Sequence, residues 1–253
     1  MCGHTAGHLF VSSNCADTFE LPPHVYACRT PEGIVFLDTK HDRYFGLSGK
    51  KADAIAALVH NWPGGTGAHA DPTPVSADEL QEMVRTLIER GLLIRRSTDT
   101  ARRARISVPL LNMVEPALRT DKCRGTRLLD LIYFVVACSR AAWVLKCKSL
   151  ESIELEMSSV RTRHRCPPRP RDTALELTQI FRDLRRFLFS EKNRCLFNAL
   201  SLMYFLRAYG HFPMWVIGVR TAPFCAHSWV QEGQTVLDGD PAIICHFVPI
   251  LAA

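Results

Sequence analysis

Cys195, His227 and two acids, Asp238 and Asp240, follow one another in the last quarter of a 253-residue chain. A thiol needs a base to take its proton, and that base needs an acceptor on its second ring nitrogen. A Cys, a His and a carboxylate are therefore the set that nucleophilic acyl chemistry uses. Taken singly, each is more often a packing residue, and a thiol behaves as a small apolar group. Their setting gives them weight. Cys195 follows Glu191-Lys192-Asn193-Arg194 and opens a predicted helix carrying Leu196, Ala199, Leu200, Met203, Leu206 and Arg207, stopped at Gly210. A first-turn cysteine faces unpaired backbone N–H groups and the positive end of the helix dipole, both of which favour the thiolate. Extended runs at 214–220 and 225–230 follow, the second holding His227. Glu232-Gly233-Gln234 then supplies a hairpin turn into a third run, 235–238, which ends on Asp238.

The string Cys195-Leu196, then Trp215-Val216-Ile217-Gly218-Val219-Arg220-Thr221-Ala222-Pro223-Phe224, then His227-Ser228-Trp229-Val230, closely resembles the transglutaminase-like cysteine proteases of lasso-peptide biosynthesis. These B proteins remove the leader from a ribosomally made precursor. The thirty-two-residue interval from Cys195 to His227 is also theirs. The resemblance spans roughly 105–253. More weakly, the block 20–97 looks like a PqqD-like precursor-recognition element, a small winged fold that some B proteins carry at the N-terminus.

The resemblance implies Cys195 as nucleophile, His227 as general base and acid, and the Cys195 backbone N–H as part of an oxyanion hole. It also implies an ATP-dependent asparagine-synthetase-like macrolactam cyclase as partner, beside the precursor peptide, and neither a cofactor nor a metal. Trp229, two residues after His227, is expected to shield the imidazole from water. The third member departs from the family pattern. An Asp is usual twelve residues after the His; here that position is Gly239, between Asp238 and Asp240 and before Pro241. Strand side chains alternate faces, so a one-residue displacement turns the carboxylate away unless a bulge corrects it, and Gly239 makes a bulge easy. Asp240 is favoured slightly, with Asp238 the other candidate. Two rival readings stand beside it: acyl transfer by a true transglutaminase, which uses the same constellation, and a non-catalytic adaptor presenting precursor to a cyclase, its triad degenerate at Gly239.

The elements that must position this set are legible upstream. A composition of 47% hydrophobic and 22% charged residues belongs to a globular chain, which excludes disordered and fibrous classes. The formal charge of +6 suits an acidic peptide as readily as nucleic acid, and no nucleic-acid partner is expected. Ten cysteines include no CxxC pair, so neither a zinc ribbon nor a thioredoxin-type site is signalled. His4 and His8 are too weak a pair for a metal site. The N-terminus lacks a basic region followed by an unbroken apolar run, so a cytoplasmic location with reduced thiols is expected. The most apolar stretch, 128–145, contains Asp130, Ser139 and Arg140 and reads as a buried helix rather than membrane insertion.

The expected architecture is α+β with two domains. Residues 1–23 read as a loose segment, 24–97 as the winged-helix-like recognition domain, 98–110 as a basic linker, and 111–253 as the transglutaminase/papain-like cysteine protease domain. Within the first domain, strands at 24–29, 34–38 and 44–47 precede a helix over 48–59 with Ser48 as N-cap. A loop at 62–74 follows, then a helix opened by the Ser76–Glu79 capping box and closed at Gly91. Further helices are expected at 125–148 and 173–189, separated by a basic, proline-broken loop at 161–171. If the third strand lies at a sheet edge, it accepts an extended peptide as an added strand. Tyr44, Phe45 and the helix over 77–90 are the expected leader-binding elements.

Overall fold

The computed structural model describes residues 19–60, 62, 76–96, 125–163, 172–186 and 194–253. The expectations for His4 and His8, the 98–110 linker, most of the 62–74 loop and residues 164–171 lie outside this set. The first strands form a meander: β2 (Val25–Thr30), β3 (Gly33–Asp38) and β4 (Arg43–Ser48) pair antiparallel in the order β2-β3-β4. Strand β4 is therefore an edge. Helices α1 (Lys50–Leu58) and α2 (Ala77–Glu89) pack on one face, around Val25, Ala27, Ile34, Phe36, Ile55 and Leu87. Ser76 caps α2 by accepting from the Glu79 N–H at 3.2 Å. Ser48, expected to cap α1, instead ends β4 opposite Gly33, and Gly49 at φ 64° makes the turn into the helix.

Two further readings are corrected. The segment through 23 is not loose to its end. β1 (Phe19–Glu20) pairs with β5 (Ile94–Arg95), because Phe19 is apolar enough to be buried against Val59 and the α1–α2 core. The small domain is also less self-contained than its length suggests. Strand alternation turns Tyr26, Cys28, Val35 and Leu37 to the other face, where they join the core of the C-terminal half. The sheet is thus buried on both faces, and the Glu151 N–H donates to the Thr39 carbonyl at 2.9 Å across the junction.

The C-terminal half is built on four helices: α3 (Leu128–Cys147), α4 (Leu150–Arg163), α5 (Ala174–Arg186) and α6 (Cys195–Ala208). Beyond them, β6 (Met214–Thr221), β7 (Phe224–Glu232), β8 (Thr235–Asp238), α7 (Pro241–Ile244) and β9 (Val248–Ala252) complete the chain. The sheet order is β8-β7-β6-β9, antiparallel throughout. Helix α4 departs from the sequence expectation: it fills 150–163 and so takes in the first three residues of the expected basic loop. Neither α7 nor β9 was anticipated. Helix α6 is predominantly apolar, buried from Asn198 through Leu206, and is the central helix, with Leu200, Leu202, Phe205 and Leu206 fully enclosed.

Helix α3 differs from the expected buried helix. Phe134, Ala137, Cys138, Ala141 and Val144 recur at helical spacing and are core, while Leu128 (75%), Val136 (59%) and Trp143 (57%) are exposed. By length and composition it is the one described helix able to cross a membrane. Its first turn is fastened inside the fold, where buried Asp130 accepts from the Tyr209 hydroxyl. Because Val136 contributes little to the core, Val136→Lys is expected to change unfolding free energy by no more than about 0.5 kcal/mol. Ala141→Lys, on the enclosed face, is expected to prevent folding, and paired urea titrations check both.

Candidate active site

Cys195 is the first residue of α6. Arg194 precedes it as N-cap and offers no side-chain hydrogen bond, so the first-turn N–H groups have no side-chain acceptor there. The thiol is half-buried. It differs in this from Cys28, which burial pushes up to about 12, and from Cys138, which burial also pushes up. Those two thiols are packing residues.

Strand β7 carries His227. Its ring lies 6.3 Å from that of Trp229 at 19°, and 5.3 Å from that of Phe247. Trp229 is fully buried, its indole N–H donating to the Gln231 side chain at 2.8 Å, so one side of the imidazole is walled by carbon. Gly218, paired with His227 across β6, is required by this wall: a Cβ there would stand 2.7 Å from the Trp229 ring. Burial holds the His227 imidazole below its ordinary value of 6.5, and the nearby Asp238 carboxylate opposes that shift.

The two candidate acids fall in different surroundings. Pairing between β7 and β8 slips by one between Val230 and Gln231, so that Asp238 rather than Leu237 faces Val230. The register irregularity thus falls between Val230 and Gln231 rather than at Gly239. Asp238 is buried (8%), and Arg185 of α5, itself 7% exposed, donates from Nη1 to both its oxygens at 3.3 and 3.4 Å. Asp240 is exposed and accepts from the Ala242 N–H at 2.9 Å as the N-cap of α7. Between them Gly239 has φ 110°, and a Cβ there would lie 2.7 Å from Ile244 Cδ1 and 3.9 Å from His227 Nε2. Writing the family's acid into the chain as Gly239→Asp is therefore expected to destabilise it by roughly 1–3 kcal/mol. A lowered thermal midpoint without gain of activity is the outcome to measure.

Cys195, Asn198, His227, Ser228, Asp238, Gly239 and Asp240 line one cavity of about 370 Å³, with Arg182, Arg185 and Arg186 on its α5 wall. Sequence reading did not find the α5 arginines or Asn198. The arginines' only signal was basic residues at helical spacing, which a solvated face shares. The structure also brings Tyr44 to this region. Burial, then Asp42, then the neighbouring Cys195 push the Tyr44 phenol up to about 12. Its ring meets that of Phe224, at the start of β7, with centroids 5.5 Å apart. Phe45 alternates to the other face of β4, packs toward the α1–α2 core and lies under the Arg90 guanidinium at 5.8 Å.

A thiol at an open helix head, an imidazole and a buried acid around one cleft suit attack on an acyl group. Residues 135–252 match the transglutaminase-like superfamily. The match runs from within α3 through β9 and includes Cys195, His227 and both acids. It is slightly less than half of the chain, and the strand-rich N-terminal region lies outside it. The fold is accordingly mixed helix and strand with a C-terminal transglutaminase-like domain, consistent with cysteine-protease or acyltransferase-type chemistry. No curated protein and no solved structure matches the chain.

Proposed function

We propose that this protein is a leader peptidase of lasso-peptide maturation, a cytoplasmic cysteine hydrolase that binds the leader of a ribosomal precursor and cuts the leader–core bond. The observation that carries the reading is the convergence of Cys195, His227 and Asp238 on one cleft. In this mechanism the Cys195 thiolate attacks the scissile carbonyl carbon, and the α6 N–H groups face the developing oxyanion. His227, having taken the thiol proton, gives it to the leaving amine, so the core departs with a free N-terminus. A thioester remains on the leader. His227 then takes a proton from water, whose oxygen attacks the thioester carbonyl, releasing the leader as a carboxylate and returning the thiol.

Docking on β4 is the second half of the proposal. Edge strands offer unpaired N–H and C=O groups, and a leader added beside β4 would reach, at Tyr44, the surroundings of Cys195. The freed core amine is then the substrate for an ATP-dependent asparagine-synthetase-like macrolactam cyclase, the partner this reading requires. Incubation of the chain with a leader-bearing peptide tests the reaction by mass spectrometry. Two fragments summing to substrate plus water support hydrolysis, whereas loss of ammonia with cross-linking would assign true transglutaminase chemistry. Tyr44→Ala is expected to lower kcat/KM for the leader-bearing peptide by about tenfold, the scale of one interface side chain. An unchanged value excludes Tyr44 from the substrate path.

A further inference from the structure

Helix α5 takes the place of a strand that β8 lacks. β8 is the sheet edge, and Arg182 donates to the Leu237 carbonyl at 2.6 Å while Arg185, one turn on, holds the Asp238 carboxylate. Arg185 also lies over the Phe181 ring at 6.0 Å. Stability alone does not ask for a charged pair here, since desolvation roughly cancels the attraction of a buried ion pair and apolar residues often serve as well. Its position at the wall of the cleft, between α5 and the acid acting on His227, gives it a different use.

We propose that Arg185 is a positioning residue, clamping Asp238 so that its carboxylate faces His227 and placing a fixed positive charge beside Cys195. The inference rests on the reading of Cys195 as nucleophile. Among the described residues, the charged and titratable groups around Cys195 are Arg182, Arg185 and Arg186 from α5, Asp238 and Asp240 from the β8–α7 turn, and His227 from β7, with the exposed Arg194 preceding it in the chain. Tyr44 of β4 adjoins Cys195, and Cys138 of α3 is near Arg185. Removing one member of the ion pair must move thiolate formation in opposite directions. Without the cation the thiolate is disfavoured; without the anion the remaining cation favours it.

The test is the rate of iodoacetamide alkylation at Cys195 against pH in the full chain, resolved by peptide mass spectrometry from the exposed Cys147, Cys225 and Cys245. Arg185→Gln is expected to move the profile upward by about half a pH unit or more, and Asp238→Asn downward by a similar amount. Arg185→Lys, which keeps the charge, is expected to stay near the parent profile. The neutral double variant Arg185→Gln/Asp238→Asn is expected to lie between the two single variants, and turns over precursor no more slowly than Asp238→Asn alone. If Arg185→Gln does not fold, the double variant against Asp238→Asn measures the same charge. Profiles that coincide, or shifts of one sign, overturn the proposal. Alkylation needs no peptide substrate, so failure to cleave precursor would remove the peptidase reading and leave this measurement intact.

Discussion

Cys195→Ala is expected to stop cleavage of a leader-bearing peptide, with a loss of roughly a thousandfold or more in turnover, while the protein stays folded. The first part follows from the chemistry: no other described thiol lines the cleft, and alanine cannot form the thioester. The second follows from position. Cys195 is half-buried at the first position of α6, where no well-packed cavity would open, and alanine is the strongest helix former. Thermal unfolding of the variant is expected within a few degrees of the parent. His227→Ala removes the base and is expected to cost a comparable factor. Because thiol and imidazole act as a unit, the double variant should be little worse than either alone. Mass spectrometry of the precursor after overnight incubation checks all three. Full processing by Cys195→Ala would leave the chain as an adaptor that presents precursor to another enzyme.

Much of this site was legible because its signals are local. A cysteine after polar residues and before an apolar 3.6-residue pattern marks a helix head, and three short extended runs with Gly233 at a turn mark the sheet that carries His227. The N-terminal meander was legible for the same reason, with turn residues at 30–33 and at Asp42-Arg43 separating β-branched and aromatic runs, although the second turn itself falls at 39–42 and Arg43 opens β4. What escaped depends on tertiary partners. α3 reads as apolar around most of its circumference, and only its packing against α5 and α6 decides that Phe134 is enclosed and Val136 is not. Tyr26, Cys28, Val35 and Leu37 alternate as a second buried face, but no local pattern states that this face meets another domain. The one-residue slip between β7 and β8 has no signature in composition, and Arg185 is one basic residue among several on α5. Asp240 attracted attention through its neighbour Pro241. That pair is the capped start of α7, a local structural motif, whereas the acid near the imidazole is recognised by burial and by a cation fifty-three residues earlier in the chain.

Asp238→Asn is the second substitution of large expected effect. Our reading assigns this carboxylate the orientation of His227, and its loss is expected to reduce turnover by a hundredfold or more with little change in KM. The imidazole reports it directly. Burial disfavours the imidazolium and Asp238 favours it, so removing the anion leaves burial less opposed and the His227 titration moves to lower pH. The stability consequence has a definite sign. A histidine held below its unfolded value binds its proton more readily when unfolded, so its contribution is complete above about pH 6.5 and is lost as pH falls from there through the lower folded-state value. Asp238→Asn should deepen that acid-side loss, seen as a larger drop in thermal midpoint between pH 8 and pH 5 than in the parent, with His227 followed by NMR. Asp240→Ala is the contrasting control. It removes the α7 cap at a cost of about 1 kcal/mol and is expected to leave the His227 titration in place. If Asp240→Ala moves that titration and abolishes turnover while Asp238→Asn does neither, the acid belongs on the other side of Gly239.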